Sequence, residues 1–496
     1  MIRFSMIVIV SLAAVAQPVA AGALQPPAAP QAADAALSRQ IQREIDEYVA
    51  REMKRQRLPG IAIGVFRHGA PLYRMGYGLA DLEWNIPVGP DTLMQTGSLG
   101  KQFVATAILK LAEEGSLGID DEVAKYFPEA PESWAHITIA HLLSHTSGIG
   151  TYDEDELTRP GGAFDYHQEF TEDQLAAGIA ALPVVSAPGA EWRYNNANYV
   201  LLGILIHRVT GQFYGDYLRT VFFEPLGMRD TRVVSDTEII TRRASGYEIR
   251  GGALQNQAWV SATFNSTADG TIYSTIDDMG RWERALSEGR LLSPTSMQRM
   301  WTPAPLADGR PNSEGYGFGW MINTLNGHRR ITHNGAWQGF TSTMARYPES
   351  GLSVVVFANL DSSYGRPDLI ARVVAGLVEP ALMPPPSPAL QDDAARNAWL
   401  RTFLVRAANG EDLTEDFVPG VGYAPGGDLA KDVAAALPAG WETSQMVLVR
   451  STARPDGSGR YSYRIGPETN SRLFTVALAA SGRIAGYGIG ADPDGR

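Results

Sequence analysis

Three short motifs, far apart in the chain, constrain its fold more than any other feature: Ser98-Leu99-Gly100-Lys101, Tyr194-Asn195-Asn196 and His333-Asn334-Gly335-Ala336. A nucleophile with a nearby amine, a phenol with an amide, and a strand end carrying a histidine follow in one order. They can do chemistry together only in a fold that gathers them. Only five lysines occur in the chain, and Lys101 is one of them. A serine three residues before a lysine arises by accident in roughly one chain in three of this size, so the first motif takes its weight from the two that follow.

Each motif also has an ordinary structural reading. Ser98 suits a helix N-cap with Lys101 snorkelling to solvent, Asn195-Asn196 suits a turn or cap, and His333 suits a solvated edge-strand turn. In series, the chemical reading outweighs these. A serine hydroxyl is a poor nucleophile until a base takes its proton, and a lysine does so only as a neutral amine, which burial or neighbours must favour. One helical turn puts Ser98 and Lys101 on the same face, and a helix start offers free N–H groups to a developing oxyanion. Tyr194 is a candidate proton shuttle, and the amide of Asn196 offers a donor and an acceptor to a substrate amide. Gly335 is expected to leave room for a substrate backbone beside the strand. The N–H of Ala336 is then the second oxyanion donor, beside that of Ser98.

The flanking patterns predict an α+β fold with an antiparallel sheet. Ile41, Ile45, Val49 and Met53 recur every four residues, marking one stripe of an amphipathic helix that Leu58-Pro59-Gly60 stops. Ile61 to Phe66 and Leu72 to Leu79 read as a hairpin around Arg67-His68-Gly69. Val104, Ala107, Ile108 and Leu111 form a helical face after Ser98 that Gly115 closes. From there to about Ser266 the pattern is mainly helical with long loops. Short strand-like runs follow at Tyr316 to Ile322, Arg330 to His333, Phe340 to Tyr347 and Ser353 to Asn359, with connections too short for parallel crossovers. Met383-Pro384-Pro385-Pro386-Ser387-Pro388 reads as a stiff linker. Beyond it, Leu400, Phe403, Leu404 and Ala407 form a helical face ending at Asn409-Gly410, and apolar runs follow at Met446 to Val449, Tyr461 to Ile465 and Leu473 to Ala479. The expected organisation is a signal peptide over 1–23, a flexible leader over 24–36, a hydrolase domain over 37–380, a linker over 381–388 and a small α+β accessory domain over 389–496.

Composition narrows the class of partner. With 496 residues the chain exceeds one ordinary domain. Its net charge of -12 and the lack of a dense basic run argue against a nucleic-acid partner, because phosphate binding needs clustered Lys and Arg. A small-molecule or peptide substrate is expected instead. Arg3, the apolar stretch Met6 to Ala16 and the small residues near Ala21 and Ala23 fit a cleavable secretory signal. That stretch is short for a span of about 20 residues, so no stable membrane anchor is expected, and the mature protein is expected in a bacterial periplasm. The absence of cysteine excludes a thiol nucleophile, a thiolate metal site and disulfides. Without G-x-S-x-G or H-E-x-x-H the chain supports neither a Ser-His-Asp hydrolase nor a zinc peptidase. No metal or cofactor is expected.

With these motifs the chain resembles the serine β-lactamase and penicillin-recognising DD-peptidase superfamily, in the branch of class C β-lactamases, DD-carboxypeptidases, D-aminopeptidases and esterases. Leu142-Leu143-Ser144-His145-Thr146-Ser147-Gly148 and Pro225-Leu226-Gly227-Met228 are similar to supporting segments of that branch, and the likeness runs from Arg39 to Val378. The resemblance implies Ser98 as acylated nucleophile, Lys101 as general base, Tyr194 as shuttle to the leaving group and Asn196 as a substrate-amide contact, with His333 and Gly335 lining the site and His145 bracing a loop. It implies action on peptides, amides or esters containing D-amino acids, with peptidoglycan fragments among the candidates. β-Lactamase activity and an inactive, penicillin-binding role are the alternatives. His333 stands where β-lactamases usually carry lysine, a departure that disfavours β-lactam hydrolysis. An unperturbed histidine titrates near pH 6.5, so any grip of His333 on a substrate carboxylate is expected to fade as pH rises.

Overall fold

The computed structural model describes residues 37–235, 237–362, 364–383, 394–418, 433, 437, 440–444, 446–451, 458–466 and 471–491. The expected signal peptide, the leader and the proline run Pro384 to Pro388 lie outside the described residues.

Ser38 caps the first helix, α1 (Arg39–Gln56), its hydroxyl accepting from the Ile41 N–H, and Ile45 and Val49 of the four-residue stripe are fully buried. The expected hairpin is β1 (Gly60–Arg67) and β2 (Ala70–Asp81), followed by the short β3 (Ile86–Pro87). Four more strands come from the second half of the chain: β4 (Met321–Leu325), β5 (His328–Trp337), β6 (Phe340–Tyr347) and β7 (Leu352–Ala358). Together they form one sheet in the order β3-β2-β1-β7-β6-β5-β4, each neighbouring pair antiparallel. The antiparallel α+β reading therefore holds.

The middle strands are buried on both faces. Ile61, Ile63 and Val65 of β1 and Val354, Val356 and Ala358 of β7 alternate onto one face, where they meet Ile45 and Val49 of α1 and Ile370 and Val374 of the last helix before the proline run. Ala62, Val355 and Phe357 alternate onto the other, against the helices that lie between β3 and β4 in sequence. Those helices include α2 (Lys101–Glu113), α3 (Asn196–Thr210) and α4 (Ile276–Ser287); α5 (Pro367–Val378) belongs to the first face. Gly115 follows α2 with φ +75°, and the Ser116 N–H reaches back to the Leu111 carbonyl, closing the helix as expected.

One strand departs from expectation. The run Tyr316 to Ile322 becomes a strand only at Met321. Asn312 ties the earlier part into a loop, its amide donating to the Tyr316 carbonyl at 2.8 Å and accepting from the Tyr316 N–H at 2.7 Å.

Beyond the proline run, α6 (Ala394–Ala408) carries the buried stripe Leu400, Phe403, Leu404 and Ala407. It shares a third hydrophobic cluster with an antiparallel sheet of β8 (Met446–Ser451), β9 (Gly459–Ile465), β10 (Arg472–Leu478) and β11 (Ile484–Ala491), in that order. The last strand is not among those the sequence predicts. Its three glycines, Gly486, Gly488 and Gly490, dilute the apolar alternation that marks the others.

Candidate active site

Residues Gly97–Gly100 form one turn of 3-10 helix that runs directly into α2, so Ser98 lies just before the α-helix rather than at its cap. The spacing still works: Lys101 Nζ is 3.0 Å from Ser98 Oγ. A short ribbon fixes this turn. Met94 and Gln95 pair with Ser274 and Tyr273, and the Thr96 N–H and hydroxyl both donate to the Ile272 carbonyl, at 2.8 and 2.7 Å. The ribbon also delivers Asp269 to the lysine.

Lys101 is completely buried, and three acceptors face its amine. They are the Ser98 hydroxyl, the Asn196 Oδ1 at 2.7 Å and the Asp269 backbone carbonyl. The last two can only accept, so each takes an N–H. The remaining direction of the amine points at Ser98, and in neutral lysine that direction holds the lone pair. The Lys101 amine also sits 5.1 Å from the Tyr194 ring centroid and 5.4 Å from that of Tyr199.

The second motif is placed by its middle residue. Asn195 caps α3, its Oδ1 accepting from the Ala197 N–H at 2.9 Å, while its amide donates to the Ile149 and Gly150 carbonyls at 2.7 and 3.1 Å. The cap reading and the catalytic reading thus belong to different residues of the same motif. Asn196 enters the helix with its amide oriented by two partners, since Nδ2 donates to Asp153 Oδ2 at 2.7 Å while Oδ1 faces Lys101.

His145 braces this turn, as the resemblance implies. It is buried, held at φ +60°, and its Nδ1 accepts from the Asn195 N–H at 3.2 Å. Its ring packs 4.3 Å from Tyr194, 4.8 Å from Tyr316 and 5.2 Å from Tyr199. Burial, with Lys101 and His333 nearby, holds its pKa well below the usual value.

The third motif lies on β5, past the end of its edge partner. β4 pairs only with residues 328–332, so from His333 onward that edge carries no strand. Gly335 serves a purpose beyond the expected one. A Cβ there would fall 1.9 Å from the Thr96 carbonyl oxygen and 2.9 Å from the Leu99 nitrogen, so its bareness seats the Ser98 turn. From the other side, Gly97, at φ +53°, lies so close that a Cβ would be 2.4 Å from the Ala336 nitrogen. The Ala336 nitrogen therefore packs against the nucleophile turn.

His333 also needs correction. It is buried, its Nδ1 lies 2.6 Å from the Asn334 carbonyl, and its Nε2 lies 2.8 Å from the Tyr316 hydroxyl. A carbonyl only accepts, so Nδ1 carries the proton and Nε2 accepts from Tyr316. Burial first, and then the charge of Lys101, lower its pKa to about 3. The histidine is thus neutral throughout the physiological range, and titration near pH 6.5 does not occur.

A cleft of about 450 Å³ opens on this constellation, lined by Ser98, Tyr194, His333, Gly335 and Ala336, and continues to Arg366 and Asp368 at the start of α5. A family model described as Beta-lactamase matches residues 45–379. The chain belongs to the Beta-lactamase family. Relatives within the superfamily include the Bacillus subtilis penicillin-binding protein 4*, 29% identical over 311 residues, 59% of this chain and 66% of that protein. The Staphylococcus aureus protein flp is 28% identical over 336 residues, 66% of this chain and 65% of its own length, so the chain spans about two thirds of the curated relatives it matches. Among solved structures, a D-amino acid amidase from Ochrobactrum anthropi SV3 is 26% identical with a TM-score of 0.57, covering 69% of this chain and 96% of that one. An octameric penicillin-binding protein homologue from Pyrococcus abyssi is 24% identical with a TM-score of 0.62, a likeness of fold that covers 90% of this chain and 95% of that one. That coverage exceeds the family match, which takes in residues 45–379.

Three residues of this Beta-lactamase family site were not foreseen. Asp269 acts through its backbone carbonyl, which leaves no trace in a side-chain pattern, while its carboxylate accepts from the Tyr152 hydroxyl at 2.7 Å. Tyr316 lies in the loop tied by Asn312, where its apolar run predicts a strand. Asp153 sits in a loop with no motif of its own. Among the described residues no group of three or more His, Cys, Asp or Glu is placed to hold a metal ion, and no helix is long and apolar enough to cross a membrane.

Proposed function

We propose that the protein is an exported serine hydrolase working through an acyl-enzyme on Ser98, acting on peptides, amides or esters that contain a D-amino acid. The observation that carries this is the position of the Lys101 amine: two obligate acceptors engage two of its N–H groups and turn its third position to Ser98 Oγ, where the amine takes the serine proton once it has given up its own. As that proton moves to Lys101, Oγ bonds to the substrate carbonyl carbon, and the oxyanion forms between the N–H groups of Ser98 and Ala336. We assign to Tyr194, which lines the cleft with Ser98, the relay of the proton to the leaving amine or alcohol as its bond to carbon breaks. Water then cleaves the ester on Ser98.

Substrates with amide or ester ends are favoured over β-lactams, because a neutral His333 gives a carboxylate no charge to bind. The names of the Ochrobactrum amidase and of a Streptomyces D-stereospecific amidohydrolase, 28% identical, support the D-amino-acid class. Export rests on the sequence of the first 23 residues alone.

Intact-mass analysis after exposure to a fluorophosphonate and to penicillin, followed by a panel of D-amino-acid amides, DD-peptides and short esters, tests the reading. A single phosphonyl adduct on Ser98 and turnover of the D-amino-acid amides are expected. An unmodified Ser98 would overturn the proposal.

A further inference from the structure

The charges around the site are unequal in their availability. Lys101 is buried and already faces three acceptors, and His333 is neutral. Arg366, at the far end of the cleft, directs its Nε and Nη2 onto the Asp368 carboxylate at 3.1 and 3.2 Å. Against these, Asp153 is exposed, with Oδ2 accepting from Asn196 and Oδ1 from the Thr151 hydroxyl. A carboxylate offers about four acceptor positions, so two hydrogen bonds leave it room for a cation.

We propose that Asp153 is the counter-ion for a free ammonium group on the acyl side of the substrate, so that the enzyme takes unblocked amino-acid amides, esters or peptide N-termini in preference to N-acylated ones. The inference rests on the acyl-enzyme reading above and narrows its substrate class.

Reach supports it. An α-amino nitrogen lies about 2.5 Å from its own carbonyl carbon, and that carbon approaches the serine oxygen to about 3.5 Å. The ammonium is therefore within about 6 Å of Ser98 Oγ, and an ion pair adds up to about 4 Å. From Ser98 Oγ, hydrogen bonds of 3.0, 2.7 and 2.7 Å lead through Lys101 and the Asn196 amide to Asp153 Oδ2. With the width of the amide included, that path is at most roughly 11 Å long, and any bend in it shortens the direct distance.

The state of Asn196 points the same way. Its oxygen faces Lys101 and its amide nitrogen donates to Asp153, so one N–H of Asn196 fixes the Asp153 carboxylate beside the motif. An ammonium joins this arrangement without displacing anything. An N-acyl group removes the charge and turns its carbonyl oxygen toward the carboxylate.

The test compares inactivation of the full chain by the D-configured diphenyl ester of 1-aminoethylphosphonate with that by its N-acetyl derivative, for the native protein and for Asp153→Asn. The asparagine keeps an acceptor for Asn196 and loses only the charge. The native protein is expected to react faster with the free amine, and the ratio of second-order rate constants is expected to fall about 10- to 100-fold in the variant. Added salt should erode the native ratio in the same direction. No native preference for the free amine, or a ratio that Asp153→Asn leaves intact, overturns the proposal and reduces Asp153 to a brace for Asn196. Because these reagents need only a reactive Ser98, the substrate class is judged separately, by turnover of D-alanine p-nitroanilide.

Discussion

On one face of the central sheet, Ile61, Ile63, Val65, Val354 and Val356 pack against α1 and α5 in an apolar cluster, with buried Glu52 and Gln56 between the two helices. On the side that carries the site, buried Lys101, His145, Asn195, Asn198, Asp269 and His333 stand among the apolar residues. The first region is held by area, which is non-directional and tolerates similar shapes. The second is held by partners at particular atoms, so each buried polar group that loses its partner carries a penalty of its own. Stability should therefore be sensitive on the first face, and activity on the second.

The largest effect expected is on activity. Ser98→Ala removes the nucleophile and should lower kcat/KM by about 10³-fold or more, while the partner that buried Lys101 loses costs about 1 kcal/mol of stability. Lys101→Arg keeps a cation but supplies no usable lone pair, so the acylation burst should disappear as well. Burst kinetics and urea unfolding of both variants check this. A burst that persists in the arginine variant would move Lys101 into the purely structural set.

Ile63→Ala, on the opposite face, should do the reverse. Ile63 is completely buried and sits opposite Val356 in the ladder, so truncation should cost about 3 kcal/mol of unfolding free energy. Well below its melting transition, kcat/KM should stay within about twofold of the native value. A large kinetic loss with intact folding would show that the two faces are coupled.

Gly335→Ala tests the boundary between them. The added methyl meets the Thr96 carbonyl and the Leu99 nitrogen, both backbone atoms of the nucleophile turn. Something must shift, and a shift of about 1 Å in the reacting groups costs about 10²-fold in rate. Both kcat/KM and melting temperature should fall, the second by more than in Ser98→Ala.

This division also explains what was legible in the sequence. Ile45, Val49 and the β1–β2 hairpin announce themselves by local periodicity, and Ser98 and Lys101 meet because a spacing of three survives in a helical turn. The match of residues 45–379 agrees closely with a likeness read from Arg39 to Val378. Gly335 was recognisable as a required glycine, but the atom requiring its bareness, the Thr96 carbonyl, is more than two hundred residues away in sequence. The same holds for Asp269, whose contribution is a backbone carbonyl, and for Tyr316, which a loop tied by Asn312 removes from its expected strand. The protonation state of His333 follows from burial by distant elements and from Lys101, neither of which its own motif encodes.

His333 supplies the smallest and most specific expectation. Its pKa is about 3 in the folded protein and near 6.5 once unfolded. Between those values the unfolded chain binds a proton that the native protein does not, so stability rises with pH across this window and is lost on acidification. Between pH 7 and pH 5 the contribution amounts to about 2 kcal/mol. His145, lowered for the same reasons, acts in the same direction. His333→Gln keeps a polar partner for Tyr316 without a titrating ring, so its unfolding free energy should fall less steeply than that of the native protein over these two pH units. Urea unfolding of both proteins at pH 7, 6 and 5 gives the two slopes directly. The corresponding kinetic expectation is an absence: matched acid and amide substrates should share one pH profile from 5.5 to 8, since no charge appears on His333 to favour the acid. Equal unfolding slopes, or an acid-specific limb near pH 6.5, would mean that the His333 ring is charged in the native site, and the carboxylate-binding role would then return to it.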